Sequence, residues 1–138
     1  MKFSTRSEYG LRAMVVLAGI QDKSPLSLRQ IAEQERISEQ YLEQIFMDLR
    51  KAELVQSVRG AYGGYYLARD PADITVKEIL EVLEGPIFHY ECLSADGQGC
   101  SFKEGPCLVQ VVWRKMQESM TDILQGMNLQ GLQEGIYE

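Results

Sequence analysis

Between Ser27 and Lys51 the apolar positions recur at helical spacing in two short bursts. Leu28, Ile31 and Ala32 form one stripe; Leu42, Ile45, Phe46 and Leu49 form the next, after a break at Glu35–Ile37. Ser27 and Gln30 fit a capping box, and Ser38 stands where the cap of the second helix belongs. Beyond Lys51, Val55–Val58 and Tyr65–Leu67 read as two strands joined by Arg59-Gly60-Ala61-Tyr62-Gly63-Gly64. Upstream, Ser4 or Thr5 starts a helix running to about Gln21, with Tyr9, Leu11, Met14, Val15, Leu17 and Ala18 on its buried face. Downstream, Pro71-Ala72-Asp73 is a turn, and Thr75 caps a helix carrying Val76, Ile79, Leu80 and Leu83 that ends at Gly85-Pro86.

From Phe88 to Cys107 the periodicity stops, leaving a loop of about twenty residues rich in Gly, Ser and Asp. Pro106 suits the first turn of a final long helix striped with Leu108, Val109, Val112, Trp113, Met116, Met120, Ile123 and Leu124. Asn128–Tyr137 adds a last short turn. The expected fold is mainly α with a small β-hairpin wing. It divides into a winged helix-turn-helix over 1–84, a cysteine loop over 85–107, and a dimerisation helix with a C-terminal tail over 108–138. A winged-helix core of about seventy residues cannot cover so apolar a helix, so a twofold homodimer is expected to bury it, against the first helix of the partner. The alternative is a monomer with the helix folded back on its own core.

The chain has 138 residues, 45% hydrophobic and 25% charged, an ordinary globular composition. No apolar run reaches the ~20 residues of a membrane span, and Met1-Lys2-Phe3-Ser4 lacks a signal-peptide core, so a cytoplasmic location is expected. The net charge of −6 is uneven. Residues 1–70 hold 10 basic and 9 acidic side chains; residues 71–138 hold 4 and 11. Contact with phosphate therefore falls to the first half. One histidine and no nucleophile–base pairing argue against an enzyme, and no small-molecule substrate is expected.

A helix-turn-helix with a wing ordinarily reads duplex DNA, the second helix entering the major groove. Ser38, Gln40, Tyr41, Glu43 and Gln44 are then placed to reach bases or phosphates; Gln pairs with adenine and Glu accepts from the cytosine amino group. The plainer role for Glu39 is to complement the helix dipole, and for Glu43 and Gln44 to form a solvated face. Arg59 suits insertion into a narrow minor groove, Gly60 lets the hairpin turn tightly, and Tyr62 packs along the sugar-phosphate edge. Arg50 and Lys51 either clamp phosphates or form a solvated helix end.

Cys92, Cys100 and Cys107 are the only cysteines, spaced C-x7-C-x6-C within or at the edge of the aperiodic loop. Core thiols belong on apolar faces; these lie among Gly, Ser, Asp and Glu, which favours ligation. Three thiolates leave one position open on a zinc site or an iron–sulfur cluster. His89, Glu8, Gln110, Glu104 or an exogenous molecule are the candidates for it. The uneven spacers, with no CxxC knuckle, lean away from structural zinc.

The opening MKFSTRSEYGLRAM, the run ISEQYLEQIFMDLRKAELVQSVRGAYGGYYL, the following ITVKEILEVLEG and the loop cysteines resemble the Rrf-two (Rrf2) family of bacterial transcription regulators, in particular its iron–sulfur cluster-binding IscR-like branch. The resemblance spans about residues 1–125. It implies a dimeric winged helix with long C-terminal helices crossing between subunits. It further implies Tyr41, Glu43 and Gln44 at the bases, Arg59 in the minor groove, and Cys92, Cys100 and Cys107 as thiolate ligands of a cluster, most simply 2Fe-2S. Two features depart from it: the cysteine spacers are longer than in the enterobacterial type, and Gln110 stands where that type has a histidine ligand. Related branches use a carboxylate from the partner's first helix, the position of Glu8 here. Two rival functions share the same residues: a cluster-free regulator whose cysteines form disulfides, and a winged-helix adaptor that docks a protein instead of DNA.

Overall fold

The computed structural model describes residues 2–20, 22–87, 93 and 107–138. Cys92 and Cys100, together with His89, Glu104 and Pro106, lie outside the described residues. The elements follow in the order α1 (Thr5–Ala18), α2 (Leu28–Glu35), α3 (Glu39–Lys51), β1 (Val55–Val58), β2 (Gly64–Leu67), a 3₁₀ turn (Pro71–Asp73), α4 (Val76–Glu84), α5 (Gln110–Gln125) and α6 (Leu129–Glu134).

Side-chain caps mark most of the helix starts. The oxygens of Ser4, Ser27, Ser38, Thr75 and Asn128 accept from backbone N–H groups in the first turns of α1, α2, α3, α4 and α6. Each such cap is worth about 1 kcal/mol. Capping boxes close at Ser27–Gln30 and at Thr75–Glu78. Helix α1 stops at Ala18, short of the expected Gln21, because the Gly19 N–H turns back to the Val16 carbonyl at 3.1 Å and closes a tighter last turn. Between α2 and α3 the chain bends at Arg36, a left-handed residue with φ 57°.

Strands β1 and β2 pair antiparallel with Val55 opposite Leu67 and Val58 opposite Gly64, one residue longer at Gly64 than the sequence pattern indicates. A third segment joins them. Leu26, in the turn before α2, exchanges both backbone hydrogen bonds with Tyr65, at 2.9 and 2.8 Å. The approach is so close that a Cβ on Gly64 would lie 2.4 Å from the Leu26 carbonyl carbon and oxygen. The wing is thereby fixed to the start of the helix-turn-helix.

The core gathers α1, α3, α4 and the hairpin around Met14, Ile31, Leu42, Ile45, Phe46, Leu49, Leu54, Ile74 and Ile79, all at most 2% exposed. The Phe46 ring packs on Tyr65 at 4.8 Å between centroids, locking α3 against the base of the wing.

Helix α5 begins at Gln110, a turn later than the expected start beside Pro106. Val109 holds the N-cap position, where its aliphatic side chain makes no capping hydrogen bond, and Leu108 and Val109 form a turn in front of the helix. None of its residues is buried within the chain. After α5 the chain returns to the winged helix. Leu129 is fully buried in the common core; its N–H bonds to the Ile74 carbonyl at 3.0 Å, and the Val76 N–H bonds to the Met127 carbonyl at 2.9 Å. The segment expected as a tail is thus sewn into the domain of α1–α4, and Tyr137 closes it by accepting the Asn128 N–H at 3.1 Å.

Candidate nucleic-acid interface

The amphipathic pattern of α3 decides which of its side chains face out. With Leu42, Ile45, Phe46 and Leu49 turned inward, Glu39, Gln40, Glu43, Gln44, Met47 and Arg50 are exposed. The side chains of Gln40, Glu43 and Gln44 hydrogen-bond to no described residue. Ser38 is occupied as the cap, its Oγ accepting the Tyr41 N–H at 3.4 Å, which leaves its hydroxyl proton free to donate outward.

Tyr41 is placed differently. It is half-buried, its ring meeting Tyr9 of α1 edge-on at 5.9 Å and 89°. The Arg12 guanidinium lies 5.7 Å from the Tyr9 centroid, while its Nη2 donates to the Glu35 carbonyl at 2.7 Å and to the Glu35 carboxylate at 3.2 Å. One α1 arginine therefore braces both the Tyr9–Tyr41 stack and an end carbonyl of α2, which fixes the angle between the two helices of the motif.

On the wing, Arg59, Gly60 and Tyr62 are all exposed, and Tyr62 retains 94% of its surface. Gly60 has φ 120°, a backbone conformation closed to other residues, and the space around its Cα is open. A flat backbone can approach closely there.

The cations sort by environment. Arg6 pairs with Asp48, Arg12 with Glu35, Arg29 with Glu33, Arg69 with Glu78 and Lys77 with Glu81. Arg36 in the turn, Arg50 and Lys51 at the end of α3, and Arg59 on the wing have no acidic partner among the described residues. The nearly neutral total of the first half thus conceals local positive charge on the turn, the end of α3 and the wing. Arg36 was not singled out by the sequence pattern: a left-handed turn ordinarily takes Gly or Asn, so nothing marks an arginine there in advance.

Of the expected ligands, Cys107 lies half-exposed three residues before α5 and is bonded to no other described cysteine. Glu8 is exposed in the first turn of α1, with no partner among the described residues. Gln110 opens α5, its Oε1 accepting from Arg114 at 3.2 Å. No described helix is long and apolar enough to cross a membrane.

Comparison with known proteins gives the architecture a family. The chain is 40% identical over 132 residues to the HTH-type transcriptional regulator CymR of Bacillus subtilis, covering 96% of this chain and 89% of that protein. The solved structure of that regulator, described as the global cysteine regulator of B. subtilis, superposes with a TM-score of 0.82 at 39% identity, covering 97% of both chains. The structure of T. potens IscR matches with a TM-score of 0.78 at 40% identity over 98% of this chain and 88% of that one. IscR of Xenorhabdus nematophila is 36% identical over 137 residues, 96% of this chain and 79% of the relative. The model of the Rrf2 family, described as iron-dependent transcriptional regulator, matches residues 3–135, and the chain belongs to this family of DNA-binding transcription regulators, which are not enzymes.

Proposed function

We propose that two copies of this chain read a double-stranded DNA operator, each placing α3 in the major groove and the Arg59 wing in the adjacent minor groove, under the control of Cys92, Cys100 and Cys107. The outer face of α3 is the observation that carries the reading. Gln40, Glu43 and Gln44 are exposed and have no hydrogen-bond partner among the described residues, and Arg36, Arg50, Lys51 and Arg59, four of the cations without an acidic partner among those residues, lie on the turn, the helix end and the wing. Phosphate supplies the missing counter-charge, and base edges supply donors and acceptors for the amides and the carboxylate. Ser38 and Tyr62 add contacts along the backbone, and Tyr41 reaches the duplex only past its stack on Tyr9. The exposed side chains of Val109, at the N-cap of α5, and of Val112, Met116 and Ile123 within it share one stripe, which a second copy would cover.

For control, the donor chemistry fits a 2Fe-2S cluster: three thiolates leave one position, and Glu8 from the partner subunit is the candidate to fill it. When bound, such a group supplies iron–sulfur bonds sensitive to iron supply and oxidants. The chain's part is mechanical. Cys107 adjoins α5, and the far end of α5 is joined to α4 through the backbone bonds of Met127 and Leu129. A change at the cysteines that shifts α5 against its partner would alter the spacing of the two recognition helices. The resemblance to a relative described as a cysteine regulator favours a second reading on the same thiols, in which disulfide formation replaces the cluster.

Anaerobic purification followed by visible absorption, iron and sulfide assay, and operator binding distinguishes them. Matched iron and sulfide per chain, lost together in Cys→Ala variants that also change DNA affinity, support the cluster. Colourless protein after reconstitution, with affinity that follows disulfide formation, supports the thiol switch. A winged-helix adaptor would bind no duplex, and Arg59→Ala would change nothing in it.

A further inference from the structure

Resting on the DNA reading above, we infer that Met47 is a specificity-determining residue that packs on the 5-methyl group of a thymine in the major groove. Met47 is 55% exposed on a helix whose other large aliphatic and phenyl side chains, Leu42, Ile45, Phe46 and Leu49, are fully buried. Its position on the helix is central. At about 100° per residue, measured from Gln40, Glu43 falls at about −60°, Gln44 at about +40° and Met47 at about −20°. The thioether therefore sits within the arc of the polar readers and one turn further along.

Seven residues at 1.5 Å each place Met47 about 10 Å beyond Gln40, roughly three base-pair steps of the duplex. Gln40, Glu43 and Gln44 match hydrogen-bonding edges and offer nothing to an apolar one. Thymine is the one base with an apolar group in the major groove, its C5-methyl. Met47 is the one large apolar side chain exposed on α3, unbranched and polarizable, and it fits a methyl group without demanding a single geometry. Covering one methyl group corresponds to about a fourfold change in affinity.

The test uses the full chain and a duplex selected from a random-sequence pool. Each thymine is replaced singly by deoxyuridine, which removes only the methyl group, and binding is followed by fluorescence anisotropy for the wild type, Met47→Ala and Met47→Leu. The inference expects one or two thymines per half-site whose replacement weakens wild-type binding about fourfold. It expects Met47→Ala to be indifferent to that replacement and Met47→Leu to remain sensitive. If Met47→Ala keeps the wild-type sensitivity, or if no thymine matters to the wild type, Met47 is a solvent-facing methionine and the inference fails alone. If no duplex is selected at all, the DNA reading fails and takes this inference with it.

Discussion

Arg6 of α1 is ion-paired with Asp48 of α3, tying the first turn of the opening helix to the second helix of the helix-turn-helix. Both side chains are partly exposed, at 27% and 39%, so the pair is screened by solvent and contributes modestly. Asp48→Asn should cost roughly 0.5 kcal/mol in urea denaturation at low salt, and the difference from wild type should shrink in 0.5 M salt. A difference that ignores salt would mean that packing of the Arg6 stem, not charge, connects the two helices.

The wing prediction concerns affinity. Arg59 has no acidic partner among the described residues and stands beside the left-handed Gly60. Arg59→Ala should weaken operator binding at least tenfold, by about 1.4 kcal/mol or more, and reduce the slope of log affinity against log salt by about one. Glu43→Ala should act in the other direction on non-specific duplex, raising affinity while relaxing the base preference opposite position 43.

Gly64 is a matter of space. A methyl group there meets the Leu26 backbone at 2.4 Å, and no rotamer change relieves a clash with a carbonyl. Gly64→Ala should lose about 1–3 kcal/mol of stability. Hydrogen exchange should show the Leu26 and Tyr65 amides, bonded to each other's residues at 2.9 and 2.8 Å, losing protection first.

The α5 stripe predicts assembly. Val112 is 48% exposed within the chain, in line with Val109, Met116 and Ile123. Val112→Asp should convert a dimer to monomer in sedimentation and abolish high-affinity binding to a two-half-site operator, while leaving the far-ultraviolet spectrum of the winged helix intact. A dimer that survives this change places the interface elsewhere.

Acid sensitivity is expected at the base of α4. Partial burial pushes the Glu78 carboxyl up, but hydrogen bonds from the Arg69 side chain, at 2.8 Å, and the Thr75 backbone outweigh it and hold the group below its ordinary 4.5. A lowered folded value means that the ion pair contributes its full stability above pH ~4.5 and loses it as the pH falls through the depressed value. Glu78→Gln should therefore reduce stability at neutral pH and flatten the decline between pH 5 and 3, read from thermal unfolding across that range.

The local elements were legible in the chain because their causes are local. Ser38 three residues before Tyr41, the stripe of Leu42, Ile45, Phe46 and Leu49, and the glycine run after Arg59 each specify a helix start, a buried face or a turn within a few bonds. The same local rules determined that Gln40, Glu43 and Gln44 would be left outside. What depended on distant partners was not legible. The Leu26–Tyr65 bridge and the Arg6–Asp48 pair join residues about forty positions apart, and no pattern within either segment names the other. The missing cap at Val109, which starts α5 a turn late, and the return of Leu129 to the core followed from competition between local propensity and packing. Burial settles such competitions, and burial exists only once α1, α4 and the returning chain have met. The sequence by itself determined which surfaces are polar, basic or apolar; the tertiary structure decided which of those charges are already paired and which remain free for a duplex.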